Sequence, residues 1–161
     1  MLMDYHIHLE HGRLEMDWLR RFVDEAVGKG IAEVGVSEHM FKFYESSSLW
    51  PSWWRFKPDR YLSDYVELVS EARAMGIPVK LGVEAEYIEG LEKEIGEFLE
   101  GVPWDYVIGS VHFIGDWAFD DTEVRDEWEN RDVAEAYRLY FSLLEKAIRC
   151  GLYDVIAHPD V

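Results

Sequence analysis

The chain has 161 residues, enough for one domain and well short of the roughly 250 residues of a full eight-stranded β/α barrel. Its 33 acidic against 16 basic side chains leave a formal charge of −17, a field that repels phosphate backbones and anionic lipids and argues against nucleic-acid or membrane-surface partners. With 48% hydrophobic residues, no membrane-length apolar run, no secretory pattern in Met1 to His6 and a single cysteine, Cys150, the composition predicts a soluble, folded, cytoplasmic protein.

A β-rich run from Met3 to Ile7 opens the chain. Leu19, Phe22, Val23 and Ala26 then recur at helical spacing, up to Gly28 and Gly30. Glu33 to Val36 reads as a second strand. After a long loop, Leu62, Tyr65, Val66 and Val69 mark a second helix, which stops at Gly76-Ile77-Pro78 because proline cannot continue it. Val79 to Val83 is a third strand, Leu91, Ile95, Phe98 and Leu99 a third helix face, and Asp105 to Gly109 a fourth strand. Asp132, with Glu135 three residues on, resembles a capping box opening a long helix whose buried side is predicted to carry Val133, Tyr137, Tyr140, Phe141, Leu144 and Ile148. Tyr153 to Ala157 is a fifth strand. This alternation predicts parallel βα units, in an open sheet or a barrel. Neither GxGxxG nor GxxxxGK[ST] occurs, which lowers the expectation of a nucleotide-binding sheet.

The histidines gather at one edge of that sheet. His6 and His8 form an H-x-H pair on one side of the first strand, where two imidazoles can reach one ion. The next strands run into Ser37-Glu38-His39, Glu84-Ala85-Glu86, Ser110-Val111-His112 and His158-Pro159-Asp160. Active sites of parallel α/β folds are built at the carboxyl ends of the strands, so this joint placement predicts a metal site although any one histidine alone would read as a core residue. His11 lies in the loop after the first strand, as suited to solvent as to an ion. Glu38 and Glu86 read as supporting or surface groups. Imidazoles and carboxylates without cysteine suit zinc, manganese or iron. Five or six histidines exceed the needs of one tetrahedral ion, so a cluster of two or three with a bridging carboxylate is expected, which suits hydrolysis of phosphate esters.

Asp4-Tyr5-His6-Ile7-His8, Ser37-Glu38-His39, Gly82-Val83-Glu84-Ala85-Glu86-Tyr87, Gly109-Ser110-Val111-His112-Phe113 and His158-Pro159-Asp160 resemble, in order, the motifs of the PHP family, the polymerase and histidinol phosphatase domain. Gly115-Asp116-Trp117 and Phe119-Asp120 are most similar to its histidinol-phosphatase branch. The resemblance implies a seven-stranded distorted β/α barrel with three metals at the strand carboxyl ends. Here that barrel would be incomplete, with about five parallel strands and flanking helices. Transferred to this sequence, His6, His8 and Glu84 would hold one ion, Glu84, His112 and His158 a second, and His11 with His39 a third. His6, His8, Glu84, His112 and His158 would carry catalysis.

His11 falls closer to the H-x-H pair than the family's third histidine, and the family's late Asp-x-His has no counterpart before Val161. The expectation is therefore one PHP-like domain over residues 1–161, truncated at its carboxyl end and associating as a homo-oligomer through open edges or the tryptophan-rich loop. The implied activity is metal-dependent hydrolysis of a small phosphate monoester, histidinol phosphate first. The alternatives are another phosphoester or a metal-binding fragment that has lost catalysis. The aromatic loop from Met40 to Lys57 reads equally as a substrate wall and as packing. Asp120-Asp121-Thr122-Glu123 reads as solvated surface, and Cys150 as a small core residue.

Overall fold

Period-two apolar runs make strands here and 3.6-period faces make the helices that cover them. The computed structural model describes residues 1–160. In chain order it contains β1 (Leu2–Asp4), α1 (Met16–Gly28), β2 (Ile31–His39), α2 (Leu62–Ala74), β3 (Val79–Glu86), α3 (Glu92–Glu100), β4 (Tyr106–Ser110), β5 (Phe113–Ile114), β6 (Trp117–Ala118), α4 (Val133–Cys150) and β7 (Val155–Ile156). One parallel sheet runs β1-β2-β3-β4-β7, and β5 and β6 form a separate antiparallel hairpin. The sheet curls into half of a distorted α/β barrel with the helices outside, as expected from the sequence.

The two faces of the sheet differ in chemistry. Val79, Leu81, Val83 and Ala85 of β3 join Val34 and Val36 of β2 and the buried faces of α1, α2 and α3 in one core. On the inner face, Gly35, Ser37 and His39 lie in register with Lys80, Gly82 and Glu84. Tyr106 fills the hollow of the curl. Its hydroxyl lies 2.7 Å from the carbonyl of Tyr5 and 3.1 Å from that of Val36, and its ring stacks on Tyr5 at 4.9 Å. The ring crosses Gly35 and Gly82 so closely that a methyl group at either position would overlap it.

Strand ends differ from the sequence expectation in both directions. β2 and β3 run on to His39 and Glu86, because the polar residues at their ends are buried against the interior and the ladder continues through them. β1 ends at Asp4 and β7 has only two residues, so His6, His8 and His158 sit on loops past the strands.

The long helix also turns differently. Its buried side is Ala136, Tyr140, Leu144 and Ala147, whereas Val133, Tyr137, Phe141 and Ile148 are exposed. The alanines let the helix approach the β5–β6 hairpin, and with Tyr140 and Leu144 they pack on Val111, Trp117 and Phe119. Asp132 caps this helix by accepting a hydrogen bond from the Glu135 amide at 3.0 Å. Asp132→Ala is expected to cost about 1 kcal/mol in urea unfolding. Among the described residues no helix is long and apolar enough to cross a membrane.

Candidate metal centre

Glu84 occupies the centre of the inner face, side chain fully buried, with five imidazoles around its carboxylate. Its register partner His39 comes from the end of β2. His6 and His8 arrive from the loop after β1, His112 from just past β4, and His158 from just past β7. The nitrogens of His6, His8 and His39 lie 3.2, 3.2 and 2.9 Å from Oε2 of Glu84. Those of His158 and His112 lie 3.2 and 3.5 Å from Oε1.

Burial raises the proton affinity of the Glu84 carboxyl, but the imidazoles of His158, His39, His6 and His8 outweigh it and hold the group far below the usual carboxylate range. Glu84 is thus an anion in a nest of nitrogens. Its Oε2 nevertheless has no partner in hydrogen-bond geometry, and neither has Nδ1 of His8 or His158. Atoms bound to one tetrahedral zinc at about 2.0–2.1 Å lie about 3.4 Å from one another, which is close to the spacings seen here. Two sets are compact enough to hold an ion each: His6, Glu84 and His158, and His8, His39 and Glu84. The donors therefore fit divalent transition ions, with Glu84 common to both sets.

Neighbouring carboxylates orient this shell. Glu86, two residues on from Glu84 and also buried, accepts from the backbone amide of His112 at 2.8 Å and faces Nδ1 of the same residue at 2.5 Å. That contact keeps a proton on Nδ1 and turns Nε2 toward Glu84. Burial disfavours protonated His112, but Glu86, then Glu84 and Asp120, outweigh it and push the imidazole up to about 10. In His39, burial prevails and lowers the proton affinity. Glu38 points to the opposite side of β2 from His39. It accepts from the Leu9 amide and pairs with Arg60 at 2.5 Å, which ties the H-x-H loop to the end of the aromatic segment. It is a buried strut and neither a surface group nor a ligand.

Five of the six histidines and Glu84 thus come together, and His11 does not. His11 follows Glu10 out of the site in a left-handed conformation, φ 68°, with its side chain 89% exposed. It stands apart from His39, and the groupings also differ from those transferred by resemblance, since His39 stands with His8 and His158 with His6. Asp120 corrects the surface reading of its acidic run. The β5–β6 hairpin returns it to the cluster, 3.8 Å from Nε2 of His112. Asp121 instead accepts from the Glu123 amide and pairs with Arg55. The aromatic loop divides between both of its readings, with Phe43 in the main core while Phe41 and Phe56 line a cavity of about 250 Å³ beside His39 and His112.

Comparison with known proteins identifies the family. Residues 4–161 match the PHP domain family. A probable histidinol-phosphatase of Deinococcus radiodurans is 35% identical over 165 residues, covering 99% of this chain and 61% of the relative. A histidinol-phosphatase of Lactococcus lactis is 27% identical, covering 94% and 59%. The crystal structure of the Lactococcus lactis histidinol phosphate phosphatase, complexed with zinc, L-histidinol and phosphate, superposes with a TM-score of 0.76 at 27% identity, over 99% of this chain and 58% of that one. The chain thus spans about three fifths of the length of the relatives it matches.

Proposed function

The chain belongs to the PHP domain family, and on that premise we propose that it is a metal-dependent phosphoesterase acting on a small phosphate monoester, histidinol phosphate first. The observation that carries this reading is the buried Glu84 carboxylate common to two ligand sets. His6, His158 and Glu84 would hold one divalent ion, and His8, His39 and Glu84 the other. His112, aimed at Oε1 of Glu84 and braced by Glu86, completes the shell. Zinc is the first choice because the Lactococcus lactis structure contains it, and manganese and iron accept the same donors. Bound ions of this kind supply positive charge for phosphoryl oxygens and an acidified water.

The chain's own residues supply position and charge. Glu84 keeps both ligand sets in one frame through strand β3, whose ladder to β2 fixes His39 opposite it. Glu86 holds the Nδ1 proton of His112, so that only Nε2 is offered inward. Tyr140 donates to the carbonyl of His158 at 3.1 Å and so fixes the loop past β7 from the side of α4. The net charge of −17 opposes an anionic substrate everywhere else, so phosphate binding depends on the local cations. The exposed Val133, Phe141 and Ile148 of α4 support the further proposal of self-association.

The test is a zinc-loaded preparation assayed on histidinol phosphate, p-nitrophenyl phosphate and a nucleoside monophosphate. Turnover should favour histidinol phosphate, stop on chelation and return with zinc. Zinc retention without turnover on any of the three would place the chain among metal-binding members without catalysis. Turnover indifferent to chelation would overturn the metal reading as well.

A further inference from the structure

We propose that Arg60 is a positioning residue of the candidate centre, acting through Glu38 on the ligand set of His8, His39 and Glu84 and not on that of His6, Glu84 and His158. The inference rests on the metal reading above and adds to it how one of the two ions is kept in place.

The loop that carries His6 and His8 is held at three points. The Ile7 carbonyl accepts from the Ser37 amide at 2.8 Å, the Leu9 amide donates to Oε1 of Glu38, and the Leu9 carbonyl accepts from Nε1 of Trp18 at 3.0 Å. The bond at Ile7 stands between the two histidines. Slack introduced at Leu9 therefore reaches His8 first, while His6 stays behind the Ile7 tie and His158 is held separately by Tyr140. Glu38 also adjoins His39 in the chain, and the His39 ring stacks on that of His8 at 4.2 Å. One side chain thus bears on both imidazoles of one set.

Arg60 fixes that side chain from the end of the aromatic segment. Its Nη1 donates to Oε2 of Glu38 and its Nε to Oδ1 of Asp59 at 2.7 Å, with the arginine side chain only 10% exposed. The backbone of Arg60 is anchored as well. Its amide donates to the Lys42 carbonyl at 3.2 Å and its carbonyl accepts from the Tyr44 amide at 2.9 Å, which closes the base of the segment. A buried carboxylate that loses its cation is strongly destabilised, because its charge is left uncompensated away from water. Without Arg60, Glu38 would turn toward solvent and release the Leu9 amide. Outer partners that orient metal ligands are worth about 10–100-fold in metal affinity.

Each ion can be titrated alone. His158→Ala leaves the set of His8, His39 and Glu84 intact, and His39→Ala leaves the other. In zinc competition against a chelator, Arg60→Gln should weaken binding in the first background by about tenfold or more and in the second by less than about threefold. Arg60→Lys keeps the charge without the planar fork and should show the same selectivity with a smaller loss, which guards against a glutamine variant that fails to fold. In a Glu38→Ala background, Arg60→Gln should weaken binding little further, since the two residues act as one unit. Losses equal in the two histidine backgrounds, or additive with Glu38→Ala, would overturn the proposal, because Arg60 would then serve only the stability of the fold. Arg73, which pairs with Asp105 at the amino ends of β3 and β4, is the control, and Arg73→Gln should leave both affinities unchanged. These titrations need no turnover, so zinc retention without phosphatase activity would fail the phosphoesterase reading and still decide the inference. An unaltered chain that holds no zinc would sink both.

Discussion

Glu84→Gln is expected to reduce zinc retention by more than about 100-fold and metal-dependent turnover by at least about 1,000-fold. Loss of a residue that merely supports a ligand costs about 10–100-fold in metal affinity. Glu84 is the one carboxylate within 3.5 Å of all five clustered imidazoles, so its replacement removes a donor from both ligand sets at once. Glutamine preserves the volume inside β3 but carries no charge and cannot offer two anionic oxygens. A thousand-fold loss corresponds to about 4 kcal/mol of transition-state stabilisation, within what bound ions contribute. Elemental analysis after dialysis, with kcat on histidinol phosphate, checks both numbers. Zinc content equal to that of the unaltered chain would remove Glu84 from the centre, and circular dichroism of the metal-free variant reports separately whether it folds.

Zinc affinity is expected to fall by about 100-fold or more between about pH 7.5 and pH 5.5. An imidazole binds a metal only after losing its ring proton at the donor nitrogen, and ordinary histidines take that proton up near pH 6.5. His112 widens the window. In the metal-free protein its imidazole is pushed up to about 10, chiefly because Glu86 outweighs burial, so at neutral pH a proton must leave Nε2 before that atom can act as a donor. The sign follows directly. Protons and zinc compete, so affinity rises with pH through the ordinary histidine range and continues to rise toward about 10 where His112 takes part. Each proton displaced contributes about tenfold per pH unit. A competition titration against a chelator at several pH values gives the slope. A flat response from about pH 6 to pH 9 would contradict imidazole ligation.

The edge of the sheet that carries chemistry was legible because spacing and strand parity act together. Once β2 and β3 lie in parallel register, Ser37 and His39 on one strand and Gly82 and Glu84 on the other share a face. Other features escaped because they depend on tertiary contacts. Nothing local in Glu10-His11-Gly12 indicates that the backbone turns left-handed at His11 and carries its ring into solvent. Asp120 reads as one of a solvated run until the short hairpin folds back, although Gly115-Asp116 between two apolar residues is a turn signal that could have located it. For α4, bulk was half a guide. Tyr140 and Leu144 are buried as the spacing implied, but Ala136 and Ala147 complete the docked side, while Val133, Tyr137, Phe141 and Ile148 stay exposed. Glu38 next to His39 illustrates the limit of proximity in sequence. Alternation sends the two side chains to opposite faces, one to a buried ion pair and the other to the centre.

The tyrosine that occupies the hollow of the sheet also constrains how this lineage can drift. With Tyr106 in place, positions 35 and 82 are closed to every residue larger than glycine. Alanine at either position would force the Tyr106 ring to move. A smaller residue at 106 would open both positions, yet leave a void and remove the hydroxyl that the Tyr5 carbonyl now accepts from. Evolutionary change at the three sites is therefore conditional on order, tyrosine first and glycine second. Among homologues, a side chain at 35 or 82 should be found only where the aromatic ring at 106 has been lost.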